Sequence, residues 1–357
     1  MILLEWCMAR STIARQAPGL FDIDNCLAEL SAMGDCLNRL DSMIDWKIFV
    51  ELIEPHFGSA NNTAVGGRPA YPVEVMFKLL TIQRLNNLSD AQTEFQACDR
   101  LTHRRFLGLS LADAIPDQNT IREFREKLVK ADLFAQLFEI FNRQLLQKGL
   151  LPKEGSVIDA TFVEVPRQRN SREENRQIKG GATPEPWTQK PGKLAQKDVD
   201  ARWTKKNQEA YYGYKDHLKI NVRSKLIEAA VVTSAEVHDS QAVGQLVEKG
   251  DVMIFADSAY SGKPVAEEMA SVGVSPAIVG KARQGRELTG LQRKYNRAVS
   301  RVRARGEHVF GAMTGDAGRL FQRHIGYARN RSAIIMLNLV YNLRRYEQIV
   351  RLDLMPI

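Results

Sequence analysis

The sequence is poor in the residues that build soft-metal sites and covalent staples. Among 357 residues there are four cysteines, Cys7, Cys26, Cys36 and Cys98, none in a Cys-x-x-Cys pair, and six scattered histidines. That scarcity argues against zinc and against a disulfide framework, and fits a reducing compartment. Long apolar runs are missing too. Met1-Ile2-Leu3-Leu4 is interrupted by Glu5 and lacks a signal-peptide core, and the longest late run, Ala333 to Val340, contains Asn338 and is too short to span a bilayer. The expectation is a soluble, cytoplasmic protein with no membrane partner. A third shortage is local. No acid stands between Glu287 and Glu307, while Arg293, Arg297, Arg301 and Arg305 repeat every fourth residue. With a net charge of +8 and a pI near 9.3, this unbalanced row points to an anionic partner and to phosphate contact.

A chain of 357 residues exceeds the usual single-domain size, so two domains are expected, and 44% apolar residues suffice for sizeable cores. The sharpest stretch is Asp251 to Gly262. Five apolar residues, Val252 to Ala256, stop at Asp257, which reads as a strand buried on both faces with an acid at its carboxyl end, where ligands of open α/β sheets bind. A second β-prone run, Ser156 to Phe162, carries Asp159 in its middle. Glu307 is nearly the only acid in a basic helical pattern, one turn after Arg303. Singly, each acid reads as a turn or helix cap. Together they fit a metal-binding carboxylate cluster better.

In chain order, residues 1–65 read as weakly patterned helix, with Leu27, Leu30, Met33, Leu37 and Leu40 at helical spacing. Residues 66–150 read as a compact helical domain: Val73, Met76, Phe77, Leu80 and Arg84 follow a 3.6 period after Pro72. Ser89 to Gln92 is a capping box, Asp117 precedes a further helix, and Leu133 to Leu146 forms an amphipathic one. Arg100, Arg104, Arg105, Arg122 and Arg125 either dock in a major groove or form solvated faces. Residues 166–216 are a polar, basic insertion with Lys205, Lys206 and Lys215 among Trp187, Trp203, Tyr211, Tyr212 and Tyr214. It has too little apolar surface for its own core, and is either a disordered insertion or a segment that tracks a nucleic-acid backbone. A hairpin (217–222 and 229–233) follows, then a helix over 240–249, the Asp257 strand, a helix over 264–271, a strand over 276–279 and the long basic helix. Leu291, Tyr295, Val299, Val302, Val309 and Phe310 make its apolar stripe.

This order, with Asp on the first strand, Asp on the fourth and Glu on a late helix, resembles the RNase H-like core of DDE transposases. Ile158 to Asn170, Tyr212 to His217, Val237 to Ser240 and Ala256 to Gly262 narrow the resemblance to the bacterial insertion-sequence-five type over roughly residues 66–346. Of that family's Tyr-x2-Arg-x3-Glu-x6-Lys signature, Arg303 and Glu307 match, whereas Ser300 and Thr314 stand in the Tyr and Lys slots. The resemblance implies an α/β fold: an RNase H-like, mixed five-stranded sheet with flanking helices over 151–350, preceded by an all-α N-terminal domain whose 66–150 part binds DNA ends. It implies Asp159, Asp257 and Glu307 as catalytic metal ligands, Arg303 on the scissile phosphate, and His238, His308 and Tyr260 near the site. Crowded carboxylates repel one another unless a divalent cation offsets them, and oxygen donors suit Mg²⁺, with Mn²⁺ as substitute. The implied partner is double-stranded DNA, as terminal inverted repeats and target, held by Arg293, Arg297, Arg301, Arg303, Arg305, Lys205, Lys206 and Lys215 in a complex of two or more copies, associated with the bacterial nucleoid when bound. The implied reaction is cleavage of element ends and their transfer to target DNA. A metal-dependent nuclease without strand transfer, or a catalytically silent DNA-binding regulator, is the alternative.

Overall fold

The computed structural model describes residues 19–57, 69–206, 208–282, 287–315 and 319–355. Cys7, the Met1–Leu4 stretch and Gly66-Gly67-Arg68 lie outside the described residues. The N-terminal half is helical: α1 (Asp22–Ala32), α2 (Cys36–Met43), α3 (Lys47–Ile53), α4 (Val73–Leu85), α5 (Asp90–Asp99), α6 (Leu101–Leu107), α7 (Gln118–Lys130) and α8 (Leu133–Gln147). The starts follow the caps that the sequence carries. Ser89 and Gln92 satisfy each other's backbone N–H at the head of α5, and the Asp117 carboxylate accepts from Asn119 and Thr120 at the head of α7. The Leu27–Leu40 repeat is not one helix. Gly34, at φ +97°, breaks it and Asp35 caps a new start, leaving Met33 exposed while Leu37 and Leu40 are buried.

The sheet has seven strands: β1 (Ser156–Glu164), β2 (Arg202–Lys206), β3 (Glu209–Asn221), β4 (Ile227–Ser234), β5 (Met253–Ala256), β6 (Ser275–Ile278) and β7 (Leu320–Phe321). Five of them, in the order β4-β3-β1-β5-β6, are the expected RNase H-like set, with β1–β3 and β3–β4 antiparallel and β1–β5 and β5–β6 parallel. The two additional strands extend it. β2 pairs with the first half of β3, beyond the reach of β4, and β7 pairs with Val163–Glu164 at the end of β1, beyond the reach of β5. Gly213 is required where β3 passes β1: at φ +147° a Cβ there would stand 2.3 Å from the Val163 carbonyl oxygen.

Helices cover both faces. On one side α12 (Val243–Leu246) and α13 (Lys263–Ser271) bury Ile158, Ile254, Ala256 and Tyr260. On the other lie α14 (Gly290–Thr314), against β1 and β5, and α15 (Tyr327–Arg351), against β4 and the helical half. The apolar run inside α15 is therefore a core helix, with Ile334, Leu339, Leu343 and Ile349 fully enclosed. Its asparagines, buried with the run, bind the flanking layers: Asn338 donates to Asp216, and Asn342 donates to the Ile227 carbonyl and to Asn142 of α8. One apolar core thus runs from Leu37 through the sheet face to Ile349. No helix among the described residues is long and apolar enough to cross a membrane.

Three expectations need correcting. β5 is four residues long and covered fully on one face only: α12 and α13 pack on the Ile254/Ala256 side, Met253 on the opposite face is exposed and Phe255 half-buried, and Val252 stands exposed before the strand begins. The helix expected over 240–249 shrinks to a 3-10 turn (Asp239–Ala242) and the single turn α12, because the Asp251 carboxylate takes the Glu248 N–H that would continue it. The insertion does have a small core. Around α9 (Arg172–Lys179), α10 (Glu185–Thr188) and α11 (Pro191–Leu194), Trp187 is fully buried, its indole N–H donating to Glu174 at 2.6 Å with Lys197 over the ring. Asp198 ties this unit to the sheet and to α15, accepting from Tyr214 Oη (2.7 Å), Ala201 N (2.9 Å), Gly326 N (2.9 Å) and Asn330 Nδ2 (3.3 Å).

Candidate active site

The site begins with the parallel register of β1 and β5. Ile158 pairs with Ala256, so the next residue on each strand, Asp159 and Asp257, leaves the sheet side by side at its centre. Each carboxylate commits one oxygen to a nearby backbone N–H: Asp159 to Ala160 at 2.9 Å, and Asp257 to Ala259 at 2.7 Å as the cap of a 3-10 turn, Ser258–Tyr260. Above them passes α14, brought close by Gly306, where a Cβ would stand 3.2 Å from Val157 Cγ1. From this helix Arg303 donates to the other oxygen of Asp159 at 3.2 Å. Among the described residues the second oxygen of Asp257 has no hydrogen-bond partner.

The electrostatics follow from this crowding. Burial is the largest influence on Asp159 and raises its pKa; the Ala160 N–H and the Arg303 guanidinium pull it back, and Asp257 raises it again. Tyr260 lies beneath the pair, fully buried, its hydroxyl without a partner among the described residues. Burial first, then the carboxylates of Asp239, Asp159 and Asp257, push that phenol well above its ordinary value, so it stays protonated.

The structure brings together Asp159, Asp257, Arg303 and Tyr260. It does not bring in Glu307, which is exposed one turn past Arg303; among the described residues no three His, Cys, Asp or Glu side chains lie close enough to hold a metal ion. His308 is exposed beside it, and His238 is exposed with Nδ1 engaged by Ser240. Arg293, Arg297, Arg301 and Arg305 are all exposed along α14, the last donating to the Val222 carbonyl. The helix is roughly 37 Å long at about 1.5 Å per residue. Its first turns overhang the sheet, which is why Leu291 and Tyr295, expected on the apolar stripe, are exposed while Val299 and Val309 are buried.

On the insertion side Lys205 and Lys206 are exposed on β2, with Lys206 over the Phe162 ring that stacks on Tyr211 at 4.3 Å. Trp203 is 45% exposed with the Arg167 guanidinium over its ring. Lys215 is different: it is buried, donating to Asp239 at 2.9 Å and to the Val237 carbonyl at 2.7 Å, so its charge is already answered within the protein. Its partner Asp239, which reaches Tyr260 electrostatically, had no signal of its own in the sequence beyond standing next to His238.

A family model described as a transposase DDE domain matches residues 151–343. A second, described as a transposase domain (DUF772), matches residues 25–127. No solved structure matches the chain.

Proposed function

We propose, from the premise that this chain belongs to the transposase DDE domain family and acts on DNA as a transposase, that it cuts the ends of an insertion sequence and joins them to target DNA. Asp159, Asp257 and Glu307 are the residues that would hold Mg²⁺, or Mn²⁺ in its place. A divalent cation there supplies Lewis acidity at the phosphoryl oxygen and offsets the repulsion between crowded carboxylates. The observation that carries the reading is the pairing of Asp159 with Asp257 under Arg303. Each aspartate keeps one oxygen clear of the backbone, and two such carboxylates suit a hard cation that completes its shell with water and phosphate. Glu307, on the same helix as Arg303, would add the third carboxylate.

The remaining roles fall to residues with free charge or a fixed proton. Arg303 would leave Asp159 for the scissile phosphate, trading one anion for another. Tyr260 holds its proton and would donate into the site, and His238 and His308 would act near it. The α14 arginines, with Lys205 and Lys206, would bind duplex phosphates, and the 66–150 helices would read the terminal repeats. Water attacks the phosphodiester at the element end; the freed 3′-hydroxyl then attacks the target strand, in a complex of at least two copies formed in the cytoplasm on the nucleoid.

Incubating purified protein, Mg²⁺, paired element ends and a supercoiled target separates the readings. Strand-transfer products are expected. Cleaved ends with no joined product would leave a nuclease, and intact ends would leave a DNA-binding regulator.

A further inference from the structure

Arg84 falls on the apolar stripe of α4, a position where a charge needs a reason. Its guanidinium reaches across to the Gln322 side chain just after β7, its Nε is out of solvent without a partner, and no carboxylate among the described residues pairs with it. Burial pulls its pKa down to about 10, so it remains a cation at neutral pH. Beside it opens a cleft of about 820 Å³ at the seam between the helical half and the sheet, bounded by α4, the end of α14, β7 and α15.

Cations dominate that cleft. Arg84, Lys225, Arg319, Arg344, Arg345 and Arg351 line it, against one carboxylate, Glu347, which Arg39 and Arg351 already hold. Lys225 stands among like charges: burial and the neighbouring Arg345 and Arg305 lower its pKa. Such crowding is unfavourable until an anion enters. Arg305 belongs to the exposed row on α14, so the cleft continues that row toward the helical half.

We infer that the cleft carries sugar-phosphate backbone of the bound DNA, a second phosphate path that spans both halves of the chain with Arg84 as its inner anchor. The inference rests on the transposase reading and goes beyond it by naming a surface outside the α14 row. The only carboxylate in the cleft is already paired, so the unanswered charge of its lining is positive and suits phosphate.

The test is fluorescence anisotropy of a random-sequence duplex titrated with KCl in the absence of divalent metal. Each phosphate contact removed lowers the slope of log K against log salt by about 0.9. Arg344→Ala at an exposed position and Lys225→Ala at a half-buried one are each expected to lower it by about that amount, and Arg84→Gln likewise, each variant checked against the wild-type melting curve. Lys249→Ala, exposed elsewhere, should leave the slope unchanged. If Arg297→Ala with Arg301→Ala flattens the slope but the cleft variants do not, the cleft inference falls and the transposase reading stands. If the wild-type chain shows no salt-dependent DNA binding, both fall.

Discussion

Removing Arg303 should expose how the candidate site is held together without its substrate. Arg303 and Asp159 are 3.2 Å apart, each with about a fifth of its side chain exposed. At that distance and an effective dielectric of about 20, the attraction is roughly 5 kcal/mol. Desolvating both groups offsets more than half of it, leaving a net coupling of about 2 kcal/mol. Arg303→Ala also removes an influence that lowers the pKa of Asp159 and leaves burial and Asp257, which raise it, unopposed. A carboxyl whose folded pKa lies above its unfolded one binds its proton more tightly when folded, so stability falls as pH rises through that interval. The deficit of Arg303→Ala should therefore be small below about pH 4 and complete near neutrality. Urea unfolding of Arg303→Ala, Asp159→Asn and the double variant across pH measures it. The double variant should recover about 2 kcal/mol relative to the sum of the singles near neutral pH. Additive singles, or a deficit constant with pH, would refute the coupling.

Two predictions concern the scaffold that presents the site, and one the insertion. Gly213→Ala should lose at least about 3 kcal/mol or fail to accumulate as folded protein, since its Cβ would overlap the Val163 carbonyl; wild-type stability in urea would contradict this. Asp216 is fully enclosed, with one oxygen on Asn338 and the other unpartnered, and burial pushes it up to about 7. Stability should fall as pH rises from about 4, the unfolded value, toward 7, and Asp216→Asn should remove that part of the loss, which denaturation across pH will detect. Asp198→Ala strips five hydrogen bonds from the insertion, so limited proteolysis should cut between Arg169 and Lys206 faster than in wild type; equal rates would mean the insertion is held elsewhere.

Much of this architecture was legible because local chemistry and tertiary structure agree. Ser89, Asp117 and the Leu133 stripe each announce a helix, and the two aspartates stand where a mixed sheet needs strand centres and ends. What escaped notice depends on partners distant in sequence. β7 has two residues and β2, Arg202–Lys206, is too charged to read as a strand; both exist because β1 and β3 outrun their other neighbours. Trp187 reads as one of several aromatics interleaved with bases, and only the fold supplies Glu174 and Lys197 to enclose it. Lys215 read as one more basic residue, although Asp239, brought near by the sheet, holds it inside. Glu307 shows the converse: a spacing argument names it, yet the side chain stands exposed on α14 beside a pair it does not reach.

Asp159, Asp257 and Glu307 are proposed to act on DNA as one metal-holding set. The most direct test is end cleavage and end binding, side by side, for Asp159→Ala, Asp257→Ala and Glu307→Ala in Mg²⁺, Mn²⁺ and Ca²⁺. Each replacement should abolish cleavage while binding survives or tightens, because a negative charge leaves the phosphate path; Ca²⁺, with looser geometry, should support binding but little turnover. If the acids were caps alone, each replacement would instead cost about 0.5–2 kcal/mol of stability and weaken both activities together. Robust metal-dependent cleavage by Asp257→Ala would contradict the assignment.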